Sequence, residues 1–266
     1  MLRDETRSEG AGLKVLVTGG IAGLGRAVAE RLARRGHDVV VTYRRDRAEV
    51  GEQSDGGLKK TWSLGGVRAV QCDAGSRQQV DRWLSREHDF DCWIHAVGPF
   101  RVKRTPLADT AAGEWEELVA GNLHSAYWHA RWLIPHMRGN HFGRVITFGY
   151  PQIEGGMPWE GRGAYAGAKA GLLSFTRTLA AEEAPYGITV NMVCPGDIRD
   201  PFKEGAIVDA RNQAGLSTVG STPAGRPATG EDVARVVEFL CHPDSDMVTG
   251  SVIYVTGGVQ YFPFTY

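Results

Sequence analysis

An α/β chain organised around a doubly wound parallel sheet is what this sequence predicts, on three observations. Short runs rich in Val and Ile alternate with stretches of helical periodicity from Leu13 to Gly258. The runs are apolar almost throughout rather than at every second residue, as strands buried on both faces are. A glycine-rich turn, Thr18 to Gly25, joins the first run to the first helix. Such alternation implies right-handed crossovers, helices on both faces, and ligands at the carboxyl ends of the strands.

The elements follow in order. LKVLVTGG (Leu13–Gly20) reads as the first strand. In the helix after it, Leu24, Val28 and Leu32 recur every four residues with Ala29 and Ala33 beside them, and Gly36 is placed to end it. Six further strands are expected at His37–Tyr43, Gly66–Ala74, Phe90–Gly98, Gly143–Gly149, Gly187–Gly196 and Gly250–Gly258, about seven in all. The 266 residues suit one domain, 13–266, preceded by a short polar leader, 1–12, with no apolar stretch. Residues 200–226, rich in Gly, Ser and Thr and weak in pattern, are the candidate substrate lid.

Composition narrows the partners. A net charge of −1 and a charged fraction of 23% point to neither nucleic acid nor a membrane surface. The four cysteines, Cys72, Cys92, Cys194 and Cys241, form no metal-type pair and read as reduced, buried thiols of a cytoplasmic protein. His124, His129, His136 and His141 lack the i, i+4 spacing of a helical metal pair and read as surface or interface residues; no metal is expected.

The glycine turn carries the first chemistry. Gly19 lets the chain turn, Gly23 lets backbone approach a pyrophosphate, and Gly25 lets the helix pack close to the strand. Ile21 and Leu24 lie in the same turn. The helix start then offers free N–H groups to phosphates. The second strand ends VTYRRD, where an acid would select NAD(H) through the ribose 2′-hydroxyl. Thr42 is neutral and Arg44 and Arg45 follow, a pair suited to a 2′-phosphate, so the cofactor expected is NADP(H). The alternative is that both arginines are solvated loop charges. Asp73, with Ala74, could meet the adenine or simply close a turn.

Tyr165 and Lys169 are four apart on a helix and share a face, an arrangement suited to acid–base work in which the ammonium lowers the phenol's pKa. With the glycine turn, HAVG (His95–Gly98, including Ala96 and Gly98), Asn122 and PGDI (Pro195–Ile198, including Gly196), they occur in the order of one family. The chain resembles the single-domain short-chain dehydrogenase/reductases over nearly all of Leu13–Gly258. The resemblance implies a Rossmann-type fold and hydride transfer between NADP(H) and a carbonyl or alcohol. It implies Tyr165 as acid/base, Lys169 on the nicotinamide ribose, Asn122 anchoring a water that relays protons, and Pro195, Gly196 and Ile198 against the nicotinamide. It also implies a homotetramer.

Departures from the family pattern shape the rest. The family's serine is missing. Counted from the fifth strand its place falls on Tyr150; counted back from Tyr165 it falls on Gln152. Either side chain can donate a hydrogen bond, and Tyr150 can equally be an aromatic wall of the pocket. Asp200 replaces a cofactor-holding threonine and is expected to turn away from phosphate or cap a helix. The nearest-looking activity is reduction of 3-oxoacyl groups on acyl carrier protein. That partner is disfavoured: Tyr186 and His141 stand where basic docking residues are expected, though Arg138 and Arg144 are near. Trp159, Tyr150 and the tail QYFPFTY suggest a ring-containing or apolar substrate, the tail packing between subunits being the alternative. A catalytically weak or inactive NADP(H)-binding or sensing protein is the competing function.

Overall fold

The computed structural model describes residues 12–44, 67–156, 158–212 and 222–259. Most of the leader, Arg45, residues 213–221 of the expected lid and the tail from Gln260 lie outside the described residues. Seven parallel strands form one sheet: β1 (Lys14–Thr18), β2 (Asp38–Tyr43), β3 (Val67–Gln71), β4 (Cys92–His95), β5 (Gly143–Phe148), β6 (Ile188–Pro195) and β7 (Val252–Val255). Their order is β3-β2-β1-β4-β5-β6-β7. The chain winds outward from β1 in one direction and from β4 in the other, so a crevice opens between the carboxyl ends of these two strands.

The helices are α1 (Gly23–Arg34), α2 (Arg77–Leu84), α3 (Ala112–Val119), α4 (Ser125–Gly139), α5 (Gly163–Glu183), α6 (Ile207–Asn212) and α7 (Gly230–Cys241). Val28, Ala29 and Leu32 of α1 and Val233, Val237 and Leu240 of α7 pack on one face of the sheet. Val80 and Leu84 of α2, Leu133 and Met137 of α4, and Leu172 and Leu179 of α5 cover the other. The strands are shorter than their apolar runs because the flanking glycines are used for turning. Gly19 (φ +76°) and Gly20 both donate to Thr42 O, at 3.0 and 3.1 Å, instead of extending β1. Gly36, at φ +86°, follows α1 as expected.

Two expectations are corrected by burial. His129 is not a surface residue: it is fully buried, stacked on Trp93 with ring centroids 5.7 Å apart, and burial holds its pKa down at about 4. Arg144 is not available to a docking partner. It is buried at the start of β5 and donates to Gly143 O, Gly187 O, His242 O and Pro243 O, tying three loops together. Arg138 makes a paired contact with the buried carboxylate of Glu183. All four cysteines are buried free thiols. Among the described residues no helix is long and apolar enough to cross a membrane.

Candidate active site

The carboxyl ends of β1, β4 and β5 and the start of α5 bring most of the expected residues together. Asn122 sits in a single π-helical turn, Ala120–His124, between α3 and α4. Such turns add one residue and re-aim the side chains they carry. Its Nδ2 donates to Pro99 O and to Leu118 O, both at 2.9 Å, while its buried Oδ1 has no partner. Lys169, one turn below Tyr165 on α5, is buried and donates to Phe148 O at 2.7 Å. A Cβ on Gly98 would lie 2.9 Å from Asn122 Oδ1 and 3.0 Å from Lys169 Nζ. The two polar atoms therefore flank one methyl-sized space that only glycine leaves open.

The electrostatics differ from the sequence expectation. Lys169 does not lower the Tyr165 pKa. Its Nζ is 5.9 Å from the phenol's ring centre and is engaged by Phe148 O. Burial, reinforced by Tyr150 and Cys194, holds the Tyr165 phenol well above the usual tyrosine range. Burial also lowers Lys169 to about 8. Tyr165 is ringed by Phe100 at 5.1 Å, Trp159 at 5.8 Å and Tyr150 at 6.1 Å between ring centres. Among the described residues neither its hydroxyl nor that of Tyr150 has a hydrogen-bond partner.

Tyr150 and Gln152 part company here. Tyr150 is buried against Trp159, 5.1 Å between centres, and faces Tyr165. Gln152 takes a left-handed backbone (φ +62°) ahead of a short helical turn, Ile153–Gly155, and makes no side-chain hydrogen bond among the described residues.

On the cofactor side, Gly23 has φ +59°, and a Cβ on Gly25 would stand 2.4 Å from Gly19 O. The turn is thus built from backbone in contact with backbone, and α1 starts with no acid in its first turn. Asp73 accepts from Gly75 N at 2.9 Å, the turn-closing role, with Ala74 buried beside it. Arg44 is exposed at the end of β2 and pairs with Glu117 at 3.1 Å. Ala96 N donates to Thr18 O at 3.0 Å, which places HAVG beside the glycine turn; Gly196 N donates to Val255 O at 3.0 Å, which places PGDI at the carboxyl end of β6, and Ile198 is buried. Asp200 turns outward to Lys203, 3.4 Å away, and caps no helix.

His95 has a role beyond its place in HAVG, and Ser125 is a site residue with no motif of its own in the sequence. The His95 ring bridges Thr18 Oγ1 (3.1 Å) and Ser125 Oγ (3.0 Å), and Ser125 donates on to Gly121 O at 2.8 Å. Burial, with His129 and Lys169 nearby, keeps the imidazole neutral, so only one ring nitrogen carries a proton. Each hydroxyl flanking the ring also has a carbonyl to donate to, Ser125 to Gly121 O and Thr18 to Ile94 O at 3.3 Å. One buried ring thereby connects the residue before the glycine turn to the π turn carrying Asn122. The only sequence signal was a polar residue closing a strand that is otherwise apolar.

The chain is similar to known proteins along most of its length. A family described as enoyl-(acyl carrier protein) reductase matches residues 20–260. The chain belongs to the short-chain dehydrogenase/reductase family. It is 41% identical to the Bacillus subtilis (strain 168) protein YtkK, described as a candidate oxidoreductase, over 92% of this chain and 95% of that one. It is 32% identical to the 3-oxoacyl-[acyl-carrier-protein] reductase FabG of Escherichia coli (strain K12), over 92% of this chain and 96% of that one. A solved Bacillus thuringiensis structure, described as a candidate 3-oxoacyl-reductase, superposes with a TM-score of 0.81 at 37% identity, covering 93% and 98% of the two chains. Relationship to these reductases makes this chain an oxidoreductase of the family, and the Rossmann-type sheet is common to them.

Proposed function

We propose that the protein reduces a ketone-type carbonyl to an alcohol at the expense of NADPH, with Tyr165 giving the proton. The observation that carries this reading is the convergence of Lys169 and the orphaned Asn122 Oδ1 at Gly98, beside the glycine turn, with the Tyr165 ring centre 5.9 Å from Lys169 Nζ. The turn fits a dinucleotide: two left-handed glycines, a backbone-tight contact at Gly25 and no acid among the residues of the helix's own first turn. When bound, a reduced nicotinamide supplies the hydride. Arg44 supports NADPH over NADH, because it is exposed where an acid would otherwise stand and its surface pair with Glu117 is weak enough to exchange for phosphate. Incubation with NADPH or NADH and a panel of aryl and alkyl ketones, quinones and 3-oxoacyl thioesters tests the reading. The aromatic ring of Phe100, Trp159 and Tyr150 favours apolar or ring-bearing ketones. Tight NADPH binding with no turnover on any of them supports a non-catalytic binder instead.

A phenol held protonated is the form that reduction needs, since the carbonyl oxygen must receive a proton as hydride arrives. Lys169 would renew that proton through the space at Gly98, where Asn122 Oδ1 can hold a water. Its pKa is lowered from 10.5 to about 8, so the ammonium is present below that value and lost above it. The kcat for reduction is therefore expected to fall as pH rises through about 8, measured between pH 6 and 10. A flat profile across that range counts against the relay.

Tyr150 is the donor we assign to the missing serine's task of hydrogen-bonding the substrate oxygen. A lost donor of this kind costs on the order of 3 kcal/mol, about a hundredfold in rate. Tyr150→Phe is expected to lower kcat by about that factor, and Gln152→Ala to leave it near wild type. Wild-type turnover in Tyr150→Phe makes Tyr150 a pocket wall only.

A further inference from the structure

The segment following β6 reaches back to the glycine turn and touches it with a carboxylate. Gly23 N donates to Glu204 Oε1 at 2.7 Å, and Arg26 Nη1 lies 3.2 Å from Glu204 Oε2. Gly23 is the first residue of α1, a helix of twelve residues with no acid in its first turn and no side-chain cap. The anion that satisfies this helix start therefore comes from 181 residues further along the chain. It occupies the N–H group at which a dinucleotide's pyrophosphate is held in such turns.

We propose that Glu204 sets the affinity of the cofactor site: its carboxylate holds the Gly23 N–H and the Arg26 guanidinium, and must swing away before a pyrophosphate can use them. The inference rests on the dinucleotide reading of the turn. A carboxylate and a phosphate cannot share one donor at contact distance without strong repulsion. The backbone around Glu204 is not free to move with it. Gly230 N donates to Phe202 O at 2.9 Å, and Ile207 N donates to the Glu231 carboxylate at 2.8 Å. Phe202 packs against the core beneath α1 and α7. What yields is the Glu204 side chain, which is about one-third exposed. Its departure leaves the turn ready for phosphate. Arg26 stays oriented by Glu30 at 2.7 Å, and the Lys203 side chain lies over Gly23, 3.8 Å from where a Cβ would be. The Arg26 guanidinium then remains beside the vacated N–H.

The test is the dissociation constant for NADPH, by titration calorimetry, in wild type, Glu204→Gln, Glu204→Ala and Glu30→Gln. Both Glu204 variants are expected to bind NADPH about tenfold tighter than wild type. Glu30→Gln removes a charge paired to the same arginine but not to Gly23, and is expected to change affinity less than twofold. Adenosine 2′-phosphate, which lacks the pyrophosphate, is expected to bind all four proteins alike. Unchanged or weaker NADPH binding in both Glu204 variants overturns the inference and leaves the cofactor reading intact. An equal gain in Glu30→Gln, or for adenosine 2′-phosphate, also overturns it, because general charge then explains the effect. Folded protein that binds neither NADPH nor NADH in any variant overturns the cofactor reading and this inference with it.

Discussion

Tyr165→Phe is expected to lower kcat for carbonyl reduction about a thousandfold while NADPH affinity stays within about twofold of wild type. The size follows from the work a positioned acid does, typically a hundred- to ten-thousandfold in rate. The selectivity follows from the packing. The phenylalanine ring keeps the edge contacts with Phe100 and Trp159 and the tilted contact with Tyr150. The hydroxyl has no partner among the described residues, so deleting it strands no buried group, and the melting temperature is expected to stay within a few degrees. Loss of rate with fold and binding intact is the signature of a group that acts on the reacting atoms. Substantial residual turnover would move the acid role to Tyr150, whose hydroxyl is the other unpartnered one in the pocket. The double variant Tyr150→Phe/Tyr165→Phe decides between them: shared work on one substrate oxygen makes the two losses non-additive.

What could be read from the chain beforehand divides along physical lines. The sheet was legible because strands buried on both faces leave an apolar run with no competing pattern, as Val15–Val17 and Val39–Val41 do. The glycine turn was legible because positive φ at Gly19 and Gly23 restricts the residue type. Tyr165 and Lys169 were legible from spacing, but their electrostatics were not. A helical i, i+4 pair suggested mutual stabilisation, whereas burial controls both groups and Phe148 O claims the ammonium. His129 was misread because a polar residue on a helix gives no sign of facing Trp93 across the core. The His95–Ser125 link and the Glu204 contact join residues 30 and 181 positions apart, a relation that periodicity does not encode. Spacing does not separate Tyr150 from Gln152, but packing does: Tyr150 is buried against Trp159, whereas Gln152 leads with a left-handed backbone into the turn Ile153–Gly155.

Gly25→Ala is expected to weaken NADPH binding by about a hundredfold and to lower the melting temperature by about 5 °C. A Cβ at this position would lie 2.4 Å from Gly19 O and 3.1 Å from both Gly19 C and Gly20 Cα, so the obstruction is backbone and no side chain can turn aside. Gly19 cannot retreat, since its N–H is bound to Thr42 O and its φ is already +76°. The start of α1 must move instead, which displaces Val28 and Leu32 from the sheet and withdraws the Gly23 N–H from the crevice. Overpacking of this kind costs about 1–3 kcal/mol, and each kilocalorie is worth roughly 2–4 °C in a domain of this size. Gly36→Ala is the matched control. Unlike Gly25, it sits at positive φ, +86°, and a Cβ there meets nothing within 4 Å. It is expected to cost about 1 kcal/mol of backbone strain and to leave NADPH affinity unchanged. If both variants lose only stability, the turn is a packing device and the cofactor is held elsewhere. A hundredfold loss confined to Gly25→Ala makes the close approach of α1 to β1 the condition for binding the dinucleotide.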